Sequence, residues 1–68
     1  MLHLYAFVPG QDLIDLKEEF SSTEDAYTRI IEMHDEEIFP VEGEARLKDT
    51  DSGQMFYFDS VHLDWFVL

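Results

Sequence analysis

Leu2, Leu4, Ala6 and Val8 alternate with His3, Tyr5 and Phe7 at the start of the chain. This period of two predicts a strand that is apolar on one face and aromatic on the other. Pro9-Gly10 follows; proline presets φ and glycine accepts positive φ, so the pair predicts the middle of a turn. The run Leu13 to Phe20 supports two readings. As a strand it places Ile14, Leu16 and Phe20 opposite Asp15, Lys17 and Glu19; as a helix it aligns Leu13, Leu16 and Phe20. The strand is favoured because a hairpin through Pro9-Gly10 pairs two runs of similar length, whereas the helix would span only about two turns.

Ser21-x-x-Glu24 has the spacing of a capping box and precedes a 3.6-residue periodicity. The predicted helix places Ala26, Tyr27, Ile30, Ile31 and His34 on the stripe facing the sheet, with Glu24, Asp25, Thr28, Arg29, Glu32, Asp35 and Glu36 opposite. Pro40 ends any helical continuation, and Val41-Glu42-Gly43 connects to a strand over Glu44 to Asp49, where Ala45 and Leu47 alternate with Arg46 and Lys48. Thr50-Asp51-Ser52-Gly53 predicts a turn. Met55 to Phe58 and Val61 to Leu68 predict two further strands, with Asp59-Ser60 as a reversal or bulge between them. The order is ββαβββ. It implies a single α+β domain over residues 1–68, with one amphipathic helix on a mainly antiparallel sheet of four or five strands.

Charge changes this picture from a generic small fold to a strongly acidic one. The 68 residues carry 16 Asp and Glu against 4 Lys and Arg, a formal net charge of −12. Six Phe, three Tyr and Trp65 separate the chain from disordered acidic tails, which lack such side chains. With no cysteine there is neither a disulfide framework nor a thiolate metal site, and a cytoplasmic location is expected. Met1 to Tyr5 has no basic region and the apolar run is broken at Pro9-Gly10, so neither a signal peptide nor a membrane span is expected. Phosphate backbones and acidic lipid surfaces are repelled by such a balance. A basic protein surface is favoured instead, such as the groove of a protein that holds DNA or RNA.

Within the acids, Glu32, Asp35, Glu36 and Glu37 crowd the end of the predicted helix. The helix dipole makes negative charge there unfavourable, so the cluster hints that something other than folding keeps these residues in place. Carboxylates three or four apart on a helix lie roughly 5 to 6 Å from each other, and those two apart on a strand about 6.6 Å. Phosphates along a nucleic-acid strand have comparable separations. Glu42 with Glu44 and Asp49 with Asp51 add pairs at strand-like spacing that would extend a row of anions. The competing reading is an even acidic coat that serves solubility.

Other chemistry is weaker. Asp49-Thr50-Asp51-Ser52-Gly53 has oxygen ligands at alternate positions, but it lacks the acidic fifth, glycine sixth and glutamate twelfth positions of a calcium loop, so a hairpin turn is expected. His3, His34 and His62 have no ligand spacing in sequence and read as partly buried, hydrogen-bonded side chains, with no metal expected. No cysteine nucleophile and no glycine-rich phosphate loop is present, and a chain this short hardly walls a pocket for paired carboxylates. A non-enzymatic protein without a cofactor is therefore expected. At the C-terminal end, Val61, Leu63, Trp65 and Val67 are expected to face the helix, which turns Phe66 and Leu68 to the other side with Phe56 or Phe58. That side is either covered by loops or left as an apolar patch suited to a homodimer or a partner interface.

A compact acidic chain without cysteine, with a capped helix and a terminal hairpin, resembles the small phage-borne anti-CRISPR proteins that mimic nucleic acid. The resemblance is carried by Ser21-x-x-Glu24, Glu32-x-x-Asp35-Glu36-Glu37 and Arg46-Leu47-x(5)-Gly53-x(3)-Tyr57, none of which is a diagnostic motif. It implies an inhibitor seated in the DNA-binding groove of a type I CRISPR effector; acidic phage inhibitors of restriction enzymes or nucleases are similar to about the same degree. The contacts expected on this reading are Glu32, Asp35, Glu36 and Glu37, supported by Glu42, Glu44, Asp49 and Asp51, with Tyr57 or Phe66 as a central anchor, the protein acting as monomer or homodimer. The alternatives are an antitoxin-like adaptor that binds through the aromatic patch, and a small regulatory domain with a small-molecule or metal ligand.

Overall fold

The computed structural model describes residues 1–59 and 61–68. Strands β1 (Leu2–Phe7) and β2 (Ile14–Phe20) precede helix α1 (Thr23–Asp35), and β3 (Glu44–Asp49), β4 (Met55–Asp59) and β5 (Asp64–Val67) follow it. The strands form one sheet in the order β2-β1-β3-β4-β5, with every neighbouring pair antiparallel. The expected ββαβββ order and α+β class therefore hold: one helix packs on a five-stranded antiparallel sheet.

The first hairpin forms as its turn chemistry dictates. The Gln11 N–H donates to the Val8 carbonyl at 3.0 Å, and Gly10 takes φ 83°, the positive value that the third residue of a type II turn needs. Residues 13–20 resolve as strand from Ile14 onward. Its pairing with β1 is irregular: one residue, Leu4, lies between His3 and Tyr5, whereas three, Leu16 to Glu18, lie between Asp15 and Glu19 opposite. Lys17 absorbs the bulge at φ 59°. Two extra residues preserve the alternation, so Asp15 and Glu19 stay on the face of His3 while Leu16 and Phe20 stay on the core face.

The helix begins one residue later than the capping spacing predicts. Ser22, not Ser21, is the N-cap; its backbone is extended and its Oγ accepts the Asp25 N–H at 3.2 Å. The buried stripe is also displaced from the expected one, running through Ala26, Ile30 and Met33 while Ile31 and His34 are exposed. The cause is the helix's position close to β1 and β2, which leaves its other flank uncovered. Leu4, Ala6, Ala45 and Leu47 meet this stripe from the sheet, and Phe39 closes the end of the core. Gly43 makes that closure possible, because a Cβ there would lie 3.0 Å from Pro40 Cβ and 3.2 Å from the Phe39 ring.

The helix stops well before Pro40. The Glu37 N–H donates to the His34 carbonyl and the Ile38 N–H to the Met33 carbonyl, with Glu37 left-handed at φ 58°, which is a Schellman motif. Farther on, β5 begins at Asp64, three residues later than predicted, because 61–63 form a turn; Ser60 lies outside the described residues. Phe56, Phe58 and Trp65 pack toward the core, so Phe66 is accompanied on the open face by Tyr57, not by Phe56 or Phe58 as expected. Val61, Leu63 and Val67 are exposed and do not pack beneath the helix as expected, Val61 and Leu63 because they lie in the turn before β5.

Glutamate in a left-handed position at a helix C-terminus is doubly disfavoured, by its Cβ and by the dipole. Glu37→Gly should raise the unfolding free energy by about 1 kcal/mol. Urea unfolding monitored by circular dichroism checks this, and an unchanged or lower midpoint would contradict the cap assignment.

Candidate partner-binding surface

Chain direction decides where the acids gather. The helix delivers Glu32, Asp35, Glu36 and Glu37 to its C-terminal end, and the connection through Phe39 and Gly43 folds back so that Glu44 lines the same cleft as His34. Glu42 lies exposed between them. Two cations reach this end: Arg29 comes within 4.0 Å of Glu36, and Arg46 lies 3.1 Å from Glu44. Glu32, Asp35, Glu37 and Glu42 have no ion-pair partner among the described residues. Asp49 and Asp51 do not continue this row, because they sit at the opposite end of β3. There they perform turn chemistry. Asp49 accepts the Asp51 N–H at 2.9 Å, which holds its carboxyl below the usual carboxylate range, and Asp51 lies 3.4 Å from the chain's amino group.

Several further acids have structural partners that sequence reasoning missed. Glu18 receives two hydrogen bonds from Arg29, at 2.9 and 3.2 Å, tying β2 to the helix. Asp59 accepts the Val61 N–H at 2.8 Å and lies 2.8 Å from the His62 ring, contacts that depress its pKa, the histidine being the larger cause. His62 is thus an exposed turn residue, not a strand residue as expected, and His34 is exposed with its ring 4.7 Å from Phe39.

His3 does meet the expectation of a hydrogen-bonded strand histidine. Its Nε2 lies 2.5 Å from Asp15 and its Nδ1 3.4 Å from Glu19, the two carboxylates that the bulge leaves on one face. The Asp15 hydrogen bond is the main reason that the His3 pKa is raised, and the same contact, with the Lys17 N–H, lowers that of Asp15.

The sheet face away from the helix holds a row of directly paired residues, Tyr5, Arg46, Tyr57 and Phe66. The Arg46 guanidinium lies 4.8 Å from the Phe7 ring centroid and 5.8 Å from that of Tyr57, a cation–π arrangement, and Tyr57 is 6.0 Å from Phe66. Of the two proposed aromatic anchors, Tyr57 is half-buried and Phe66 more open. They lie side by side.

A cleft of about 350 Å³ runs along the uncovered flank of the helix between Tyr27, Ile31, His34, Phe39 and Phe58. His34, Glu44 and Tyr27 are the titratable residues along it, the Glu44 carboxylate being turned to Arg46 at 3.1 Å. Among the described residues no group of three or more His, Asp or Glu side chains is placed to hold a metal ion. No helix among the described residues is long and apolar enough to cross a membrane. No protein-family description, no curated protein and no solved structure matches the chain.

The His3 clamp has a pH signature. A raised imidazole pKa contributes stability that is complete below the unfolded value of 6.5 and is lost as pH rises through the folded value. Wild type should therefore lose more stability than His3→Gln when pH is raised from slightly acidic to alkaline. Urea midpoints of the two proteins across that range measure the difference; parallel curves would show that the clamp contributes nothing.

Proposed function

We propose that this protein is a non-enzymatic inhibitor that occupies the basic, nucleic-acid-holding groove of another protein. The observation that supports it is the sorting of the carboxylates. Several acids elsewhere on the molecule cap turns or bind Arg29, His3 and His62, and Asp12 stands apart from Glu24 and Asp25, all three without an ion pair among the described residues. Glu32, Asp35, Glu37 and Glu42, by contrast, gather at one end and form no ion pair among the described residues. Their placement opposes the helix dipole, and Glu37 also holds a left-handed backbone conformation that glycine would adopt at lower cost. Such a surface is matched by Lys and Arg side chains spaced for phosphates. Glu36 borders it and can exchange its arginine partner for the target's, whereas the Glu44 carboxylate pairs with Arg46 on the open sheet face. The partner class is a CRISPR effector of type I or another defence nuclease in the cytoplasm.

A second reading has its own support. Tyr57 and Phe66, adjacent and accessible on the open sheet face, would suit an adaptor that binds through aromatic contacts. The two readings respond differently to mutation.

With a type I CRISPR effector or a comparable basic nuclease as the probe, wild type should displace duplex DNA, less effectively as salt rises. Replacing Glu32, Asp35 and Glu37 together by lysine should weaken displacement about 100-fold or more, with the fold intact by circular dichroism. Phe66→Ala should leave it nearly unchanged. Full displacement by the charge-reversed protein would remove this reading, and loss confined to Phe66→Ala would favour the adaptor.

A further inference from the structure

The two edges of the sheet are built differently. At β2 the bulge, the left-handed Lys17 and the charges of Asp15, Glu18 and Glu19 obstruct strand addition. At β5 there is no bulge, proline or lysine, and the strand reads Asp64-Trp65-Phe66-Val67. Half of the exposed large apolar side chains lie in or beside it: Val61, Leu63, Phe66, Val67 and Leu68, against Met1, Leu13, Ile31, Ile38 and Val41 elsewhere.

Backbone direction shows what that edge offers. The Leu68 N–H donates to the Met55 carbonyl at 3.0 Å, so residues 64, 66 and 68 turn their main-chain groups toward β4. Trp65 and Val67 turn theirs outward. The Trp65 N–H is held by its neighbour, Asp64 Oδ1, at 2.8 Å, while Val67 has no such cover among the described residues.

We propose that β5 is the interface of a homodimer, in which it pairs antiparallel with β5 of a second copy about Phe66. In that register Trp65 lies opposite Val67 of the partner subunit: the Val67 N–H donates to the Trp65 carbonyl across the pair, and the Trp65 N–H reaches the opposite Val67 carbonyl once it leaves Asp64 Oδ1. Asp64 lies opposite Leu68 of the partner subunit, so the two Asp64 side chains do not face each other. Self-pairing suits this edge better than a basic segment does. Residues 55–68 hold only Asp59 and Asp64 of the 16 acids, and Asp59 is already occupied by the β4–β5 turn. An antiparallel pair of identical apolar strands also needs no second partner to close the edge. Because each chain carries −12, repulsion opposes dimerisation and salt relieves it. The salt response is opposite to that of a basic target at the acidic end, so this inference and the proposed function stand or fall separately.

Sedimentation equilibrium of the whole chain, from micromolar to near-millimolar concentration, tests the inference. The average mass should rise toward twice the 8.0 kDa of one chain, at lower concentration when sodium chloride is added. Val67→Pro removes only an outward N–H, which an edge strand tolerates, and should weaken the dimer about tenfold or more with an unchanged circular dichroism spectrum. Asp64→Ala frees the Trp65 N–H, removes a charge and should tighten it. Independently of any variant, the Trp65 and Val67 amides of wild type should gain protection from hydrogen exchange as concentration rises. A monomer under all these conditions, association that salt weakens, or amides indifferent to concentration would overturn the proposal. So would a folded Val67→Pro protein that dimerises as wild type does.

Discussion

Leu4 and Leu47 stand directly opposite each other on the two central strands, and they are the large side chains that the fold removes completely from water. Everything else in the core is smaller, or only partly enclosed, and is arranged around that pair. Ala6 and Ala45, the next paired residues, are small enough for the helix to approach, and Ala26 meets them from above. Ile30, Met33 and Phe39 then seal the end where the chain leaves the helix. A core of this size buries little apolar surface beyond what ordering the chain requires. The sheet and helix can therefore tolerate charge only where solvent screens it or a hydrogen bond uses it.

That constraint explains how 16 acids coexist with so small a core. No charged or polar side chain among the described residues is buried. Many acids instead replace stabilisation that a larger protein would draw from packing. Asp49 and Asp59 organise the β3–β4 and β4–β5 turns, Asp15 braces the bulge through the Lys17 N–H, and Glu18 ties the helix to the edge strand. Of the acids left without such a contact, Asp12 lies apart, Glu24 and Asp25 sit at the helix N-terminus where the dipole favours them, and the rest gather at its other end. The acids at the helix C-terminus satisfy no turn, and their mutual repulsion at i, i+3 and i, i+4 spacing works against the helix that carries them.

The sequence pattern made the element order, the five strands and the first turn legible because each rests on a local rule: period-two alternation, 3.6 periodicity, and Pro-Gly turn chemistry. Where reading failed, the deciding interaction was not local. The capping-box spacing favours Ser21, yet Ser22 caps the helix, and the choice is made by bringing Ala26, Ile30 and Met33 against Leu4 and Leu47. Lys17 and Glu37 give no hint of left-handed backbone; a bulge and a helix end impose it on residues that do not favour it. The acidic cluster at the helix end was legible as charge. That Asp49 and Asp51 point to the other end of the molecule was not, since it follows from the length and direction of β3. Likewise Tyr57, not Phe56 or Phe58, joins Phe66 because strand register sets the face.

Charge also determines which parts of such a molecule can meet another copy of itself. A uniform coat of −12 on a particle with principal extents of 30 × 26 × 25 Å would disfavour every self-contact alike. The observed distribution is uneven. The helix end concentrates unpaired acids, whereas the terminal hairpin is nearly free of them and carries apolar side chains at an unobstructed edge. Over distances beyond about 8 Å, screening at physiological salt leaves the local composition of each surface to decide its contacts. The acidic end and the β5 edge consequently seek different neighbours. Occupying one leaves the other available, provided that the dimer keeps the helix end clear of its own interface, as pairing through the far edge of the last strand does.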